Sequence, residues 1–196
     1  MIKRCVDFVL AVLGIVLLFP LFVCISVLIK LDSAGPVLFF HERIGLNFRA
    51  FRMCKFRTMR ADAVLDGSAI TVSGDARVTR VGQWLRGTKL DELPQLFNVV
   101  RGEMSLVGPR PEVRRYVEQF RSEYEELLKV RPGITDPASL KYRDEETILA
   151  GAKSPEAYYV QHVLPDKLRL SREYVRHASF MGDLLILLRT ISRLPH

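Results

Sequence analysis

Residues 8–29, FVLAVLGIVLLFPLFVCISVLI, contain no charged side chain, and Ser26 is the one strongly polar residue among them. A helix needs about 20 apolar residues to cross a hydrocarbon core about 30 Å thick, so the run is long enough to span a bilayer. No small-residue cleavage site follows it, which disfavours a secretory signal peptide. Two features oppose a straight span. Lys3 and Arg4 flank one end while Lys30 and a strongly basic remainder flank the other, so the charge rule gives no reason to put the ends on opposite faces. Pro20, near the middle, removes a backbone donor and collides with the carbonyl of Val16, which kinks the helix. Two arms of about ten residues would each reach roughly 15 Å, half the core. A span and a re-entrant hairpin with both ends cytoplasmic both remain open on these grounds. The fold expected is α+β and mostly helical. It has an N-terminal re-entrant membrane helix over residues 1–31, then a small globular domain over 32–196 on the cytoplasmic face with short β-strands and interfacial amphipathic helices.

Downstream of that run, residues 30–36 (KLDSAGP) punctuate the chain, and 37–40 form a short β-prone patch. A hairpin is expected around Gly45, Leu46 and Asn47. Arg49, Arg52, Lys55, Arg57 and Arg60 then alternate with Phe48, Phe51, Met53, Phe56 and Met59. Basic residues interleaved with aromatics bind single-stranded nucleic acid in some proteins and lipid headgroups in others, and a solvated basic edge strand reads the same way. The apolar run just upstream favours the headgroup. A polar loop is expected over 66–75 and a cationic helix over 77–86. Residues 111–130 carry Val113, Val117, Phe120, Tyr124, Leu127 and Leu128 near a 3.6-residue period, which predicts one amphipathic helix ended by Arg131, Pro132 and Gly133. Helices are also expected around 157–160, over 166–176 and over 179–194. The last is short for a span and reads either as interfacial or as a core helix.

With 196 residues and a net charge of +7, the chain is long enough for a real core and calls for an anionic partner. The three cysteines, Cys5, Cys24 and Cys54, are scattered and form neither a disulfide framework nor a metal motif, and the four histidines are isolated from one another. There is no glycine-rich phosphate loop and no Asp-x-Asp pair. The chemistry therefore concentrates in residues 86–111, RGTKLDELPQLFNVVRGEMSLVGPRP. Asp91 and Glu92 stand side by side before Pro94, with Arg86, Arg101 and Arg110 around them. Acids in a first helical turn commonly just complement the helix dipole. Among so many cations they also make a phosphoryl-transfer site, where arginines hold phosphate bidentately and a carboxylate, ordinarily ionised at neutral pH, needs no general base.

KFRTM (55–59), then residues 77–111, then VRPGIT (130–135) strongly resemble the bacterial sugar transferase family, the monotopic polyprenyl-phosphate hexose-1-phosphate transferases. The resemblance runs from the apolar N-terminus through SFMGDLLILLRTI (179–191), and the chain looks like a minimal member without extra transmembrane helices or an N-terminal domain. It implies a transferase at the bacterial inner membrane that moves a hexose-1-phosphate from a UDP-sugar to polyprenyl phosphate, releasing UMP, as the first membrane step of a surface glycan. Asp91 matches the family's covalent nucleophile, and Glu92 its Mg²⁺ ligand. Lys55, Arg86 and Arg110 match positions that contact phosphate. Arg143 stands where many members carry the arginine of an Asn-Gly-Arg motif, but here it lies in LKYRDEE (140–146). An Asp of many members appears as Ser171, with Asp166 as a conceivable substitute, and Phe19 replaces the serine that often precedes the membrane proline. The resemblance leaves the sugar and the oligomeric state open, a homodimer included. It also leaves a rival, a membrane-tethered basic binding module for anionic lipid or nucleic acid. The resemblance favours the enzyme, with no nucleic acid as partner.

Overall fold

A computed structural model describes residues 2–60 and 71–192. Half of the polar loop expected at 66–75 falls outside them, as do the last two residues of the helix expected over 179–194. The apolar N-terminus forms α1 (Ile2–Leu17) and α2 (Phe19–Asp32), bent by 60°. No single helix among the described residues is long and apolar enough to cross a membrane. The break falls at Leu18, so Pro20 lies in the first turn of α2, where its missing N–H leaves no helical bond unmade. Backbone bonds of 2.9 Å from Leu18 N to Gly14 O and from Phe22 N to Leu18 O keep the two arms continuous.

The expected hairpin is present. Strands β1 (Leu38–Ile44) and β2 (Ala50–Phe56) pair antiparallel, with Phe39 opposite Lys55 and Ile44 opposite Ala50. Helix α3 (Arg80–Thr88) begins at Thr79, whose hydroxyl accepts from Gly82 N, and α4 (Gln95–Arg101) follows a tight turn. Then come β3 (Ser105–Val107), α5 (Arg114–Gln119), α6 (Arg121–Leu127) and β4 (Gly133–Thr135), which pairs in parallel with β3. The chain ends with α7 (Pro137–Lys141), α8 (Glu145–Ala150), α9 (Pro155–Tyr158), α10 (Leu164–His177) and α11 (Phe180–Ser192). The protein is thus mostly helical, with two small two-stranded sheets.

Two expected elements differ. The helix expected over 111–130 is two, broken at Phe120 (φ −116°, ψ 41°). The bend lets Tyr116 and Val117 on one side, and Tyr124, Leu127 and Leu128 on the other, all reach one core with Ile44, Tyr159 and Leu168. The segment around 157–160 runs through a π turn (Tyr159–Val163) directly into α10, with Pro165 tolerated in its first turn.

Three hydrophobic cores hold the molecule, and the N-terminal pair belongs to two of them. Ala11 of α1 packs with Val99, Met104, Val107 and Ile186, and Ile25 and Ile29 of α2 pack with Phe56 and Leu85. Polar contacts add to the docking. Arg4 donates to Val99 O (2.6 Å) and Val100 O (3.1 Å), supplying positive charge at the C-terminal end of α4. Lys3 reaches Asp183 of α11 at 2.5 Å. At the other end, Asp32 accepts from Val81 N (3.1 Å). The opposite faces of both arms carry apolar side chains outward, among them Leu13, Leu17, Phe19 and Val27, and α11 does likewise with Phe180, Met181, Leu188 and Ile191.

Candidate active site

The acid pair lies not on a helix but in a 3-10 turn, Leu90–Glu92, between α3 and α4. The turn is entered through Lys89, which holds a left-handed conformation (φ 60°) at the C-terminus of α3. A non-glycine residue rarely adopts this conformation, and here it reverses the chain so that Asp91 faces β2 while Pro94 starts α4. Asp91 is 7 % exposed.

Around the pair, sequence-distant cations converge. Lys55, on β2, puts Nζ 2.8 Å from Glu92 Oε1 and 3.8 Å from Asp91 Oδ2. Arg110, in the Gly-Pro-Arg-Pro turn after β3, forks onto Glu92, with Nη1 3.0 Å from Oε2 and Nη2 on Oε1. Its Nη1 also donates to Ile134 O of β4 at 3.2 Å. The two adjacent carboxylates consequently differ. Asp91 is buried and Glu92 partly so, and the loss of water raises the pKa of both carboxyls. For Glu92 the charges and hydrogen bonds of Arg110 and Lys55 overcome burial and hold it well below the ordinary carboxylate range. For Asp91 burial prevails over Lys55, with Glu92 adding to it, and its carboxyl stands above its ordinary value. Asp91 Oδ1 is buried with no hydrogen-bond partner. The Asp91 carboxyl pKa thus lies above the ordinary value assumed from sequence, because burial disfavours its charged form.

Arg86 does not contact the acids directly. Its guanidinium donates to Glu146 Oε1 (2.7 and 3.1 Å) and to Thr58 Oγ1 (3.5 Å), while its charge still lowers the Asp91 pKa. Glu146 comes from the departing motif at 140–146, so the local change noticed in sequence reaches the site. Arg143 lies half-buried between α7 and α8 and makes no hydrogen bond or ion pair among the described residues. Ser171 is buried and donates to Asp136 Oδ2 (2.8 Å), and the Asp136 charge in turn bears on Arg110. Asp166 instead binds Lys141, Tyr142 and Arg169. The basic stretch divides. Arg57 is buried and donates to Ser33 O (2.7 Å) and Ala34 O (2.8 Å), closing the end of α2, while Arg52 lies over the Phe40 ring and Arg49 is exposed.

Sequence reading did not single out Asp7 or Gln95. Asp7 is buried on α1 and accepts from Ser105 Oγ (2.7 Å), tying α1 to β3. A lone acid at the edge of an apolar run was the available signal. Gln95 is fully buried, and neither atom of its amide has a hydrogen-bond partner. Nothing in its sequence context distinguishes it from a helix-surface glutamine.

Among the described residues, no group of three or more His, Cys, Asp or Glu side chains forms a metal cage. What the site offers is two neighbouring carboxylates. Of about four acceptor positions on Glu92, Lys55 takes one and Arg110 two, and Asp91 Oδ1 is unpartnered. That small all-oxygen set fits Mg²⁺, which uses one or two carboxylates and completes its shell with phosphate and water.

The family model described as "Bacterial sugar transferase" matches residues 1–195. A UDP-N-acetylgalactosamine-undecaprenyl-phosphate N-acetylgalactosaminephosphotransferase of Aeromonas hydrophila is 39 % identical over 97 % of this chain and 43 % of its own length. An undecaprenyl-phosphate glucose phosphotransferase of Komagataeibacter xylinus is 40 % identical over 97 % of this chain and 35 % of its own. The exopolysaccharide production protein ExoY of Sinorhizobium fredii is 36 % identical over 96 % of this chain and 83 % of its own. The chain thus spans less than half the length of the first two. With the match running along nearly all of its residues, the chain belongs to the bacterial sugar transferase family.

Proposed function

We propose that this protein is a phosphoglycosyl transferase that moves a hexose-1-phosphate from a UDP-sugar to polyprenyl phosphate at the cytoplasmic face of the bacterial inner membrane, as the first membrane step of a surface glycan. The observation that carries the reading is the division of the acid pair. Glu92 is fixed by two cations, whereas Asp91 is buried, weakly paired to Lys55 and has one oxygen unused. Neighbouring carboxylates driven apart in this way serve separate roles.

In the first step an Asp91 carboxylate oxygen attacks the sugar-linked phosphorus. A new oxygen–phosphorus bond forms, the bond from that phosphorus to the bridging oxygen breaks, and its electron pair leaves with UMP. In the second step a phosphate oxygen of the polyprenyl phosphate attacks the same phosphorus and Asp91 departs as carboxylate. No proton has to move in either step. Lys55 stands beside the attacking group and steadies charge on the phosphoryl oxygens, as does Arg110 from the opposite side of Glu92. Arg86 and Arg143 are assigned to the diphosphate, Arg86 on releasing Glu146. Glu92 would hold Mg²⁺, which when bound neutralises the diphosphate and the leaving phosphate.

The membrane assignment rests on docking. Both ends of the bent pair are fastened to one folded domain, by Lys3 and Arg4 at one end and Asp32 at the other. Arms of 16 and 14 residues are about 24 and 21 Å long at ~1.5 Å per residue. If each arm is inclined by half the 60° bend, the tip lies about 12 Å below the ends, within one leaflet of a core about 30 Å thick. The binding-module alternative loses ground, because Lys55 and Arg57, at the centre of the basic stretch, turn inward.

The test is to incubate the purified protein with Mg²⁺, polyprenyl phosphate and a panel of UDP-sugars and to measure UMP release. At least one sugar is expected to release UMP, and Asp91→Asn is expected to abolish it. Silence with every sugar, or turnover by Asp91→Asn at the wild-type rate, defeats the proposal.

A further inference from the structure

Gln95 is the first residue of α4 and 0 % exposed. Neither its Oε1 nor its Nε2 has a hydrogen-bond partner. A buried amide with no partner is uncommon and calls for an explanation. Its neighbour on the same side of the segment shows what a structural amide looks like here. Asn98 accepts from Cys54 N (2.9 Å) and donates to Arg52 O (2.8 Å) and Glu103 Oε2 (2.7 Å). Gln95 does none of this. The other buried side-chain atom without a partner in this part of the chain is Asp91 Oδ1. The backbone between them stays right-handed through the turn at Leu90–Glu92, Leu93 (φ −52°, ψ −37°) and Pro94 (φ −62°, ψ −12°). Asp91, Gln95 and Asn98 are buried whereas Glu92, Leu93, Leu96 and Phe97 are less so, which puts Asp91 and Gln95 on the one face that packs against β2. One group is an unused donor and the other an unused acceptor.

We propose that Gln95 is the positioning residue of the nucleophile: its side-chain N–H donates to Asp91 Oδ1 in the substrate complex, and so turns Oδ2, the oxygen beside Lys55, toward the phosphorus. Bonds of this kind are often open in a substrate-free site and tighten in the complex. The amide keeps its proton throughout. It fixes one carboxylate oxygen while the other forms the bond to phosphorus and UMP leaves with the electron pair of the broken bond. The inference rests on the reaction proposed above and deepens it. It also explains a wholly buried polar side chain directly after Pro94, on a face whose other buried members are apolar or fully hydrogen-bonded.

The experiment uses the full chain with Mg²⁺, polyprenyl phosphate and whichever UDP-sugar the wild type accepts, and compares Gln95→Met and Gln95→Glu. Methionine keeps the length and removes the amide, and glutamate keeps the shape while losing the donor. Misplacing a reacting group by about 1 Å costs on the order of 100-fold in rate. Both variants are therefore expected to lose 10- to 100-fold in kcat (about that order), with KM for the UDP-sugar within about twofold of wild type. Single-turnover labelling of the protein by the sugar phosphate, without polyprenyl phosphate, should slow by the same factor. Gln95→Met should melt no lower than wild type, since it removes an unpaired buried amide. Wild-type kcat in Gln95→Met overturns the inference while leaving the reaction intact. So does a rise in KM at constant kcat, or a fall in melting temperature beyond ~5 °C in both variants, which would mark the amide as structural. A wild type that releases no UMP sinks the reaction and the inference together.

Discussion

At the scale of single residues the site is a lesson in how two neighbouring acids become unlike. Asp91 and Glu92 share a turn, yet the Arg110 fork and Lys55 converge on Glu92 and leave Asp91 with one long contact. Their effects on stability therefore have opposite signs with pH. The Glu92 carboxyl is depressed in the folded state, so its contribution is present above the ordinary carboxylate pKa and is lost as pH falls toward its folded value. The Asp91 carboxyl is raised, so its contribution is present at low pH and is lost as pH rises through its folded value. At neutral pH an ionised Asp91 therefore costs the fold something. Asp91→Asn is expected to melt higher than wild type at pH 7, with the gain shrinking as pH falls toward the ordinary carboxylate value, as followed by thermal melting across pH. A variant that melts lower than wild type at pH 7 contradicts the reading. The pair itself was legible in sequence because both acids are adjacent and flanked by the arginines of one stretch, Arg86, Arg101 and Arg110. The difference between them was not, because it depends on a lysine 36 positions before Asp91 and an arginine brought across by β3 and β4. Gln95 and Asp7 escaped for the same reason, since burial without a partner, or with a distant one, is a tertiary fact.

Elements, rather than residues, decide where Arg110 points. β3 and β4 run parallel with Ser105 opposite Gly133 and Val107 opposite Thr135, and the chain then passes through Gly108 and Pro109 to Arg110. Gly108 N donates to Thr135 O and Gly133 N to Pro109 O, both at 3.0 Å. A Cβ on Gly133 would lie 2.0 Å from Gly108 N, so the two backbones touch and no side chain fits between them. Gly133→Ala is expected to destabilise by roughly 2–3 kcal/mol, at the upper end of ordinary overpacking. Activity should fall further than stability explains, because Ile134 O, which accepts from Arg110, moves with the strand. Denaturant unfolding and UMP release measured on the same sample test this, and an Ala variant of wild-type stability and activity would refute the role given to the close approach. Gly133 reads as a helix terminator after Pro132, since a terminating glycine and a close-packed glycine look alike in sequence, whereas α6 already ends at Leu127 and Gly133 lies in β4. The hairpin at 38–56 was legible from its β-prone ends and Asn47. The break at Phe120 was not, because a bend that preserves the 3.6-residue period leaves no mark on the pattern.

At the scale of the whole molecule, the N-terminal pair is part of the folded body that carries the acid pair rather than a tether. Ala11 shares a core with Val99 and Met104, Gly14 lies against Leu96, and Arg4 closes the end of α4, the helix that starts just after the acid pair. The N-terminal pair and the acid pair are thus mechanically linked, which suits the proposed reaction, whose acceptor would be a lipid phosphate. The sequence revealed the apolar run and the proline, and balanced charges raised the possibility of re-entry, but the docking of both ends required the fold. Cysteine labelling separates re-entry from a span, because Ile2 and Leu31 lie near the two ends and are 79 % and 80 % exposed. With Cys5 and Cys24 replaced by serine, Ile2→Cys and Leu31→Cys should both react with a membrane-impermeant maleimide in inverted vesicles and neither in intact spheroplasts. Cys24, restored alone, is exposed on the protein surface of α2 but should stay unlabelled in both preparations until detergent is added, because that surface would face lipid. Buried Cys54 supplies the internal blank. Labelling of the two ends from opposite sides would make the pair a broken span. The domain that grips both ends would then have to lie on two sides of a bilayer at once, which Lys3–Asp183 and Asp32–Val81 together forbid unless one of them opens.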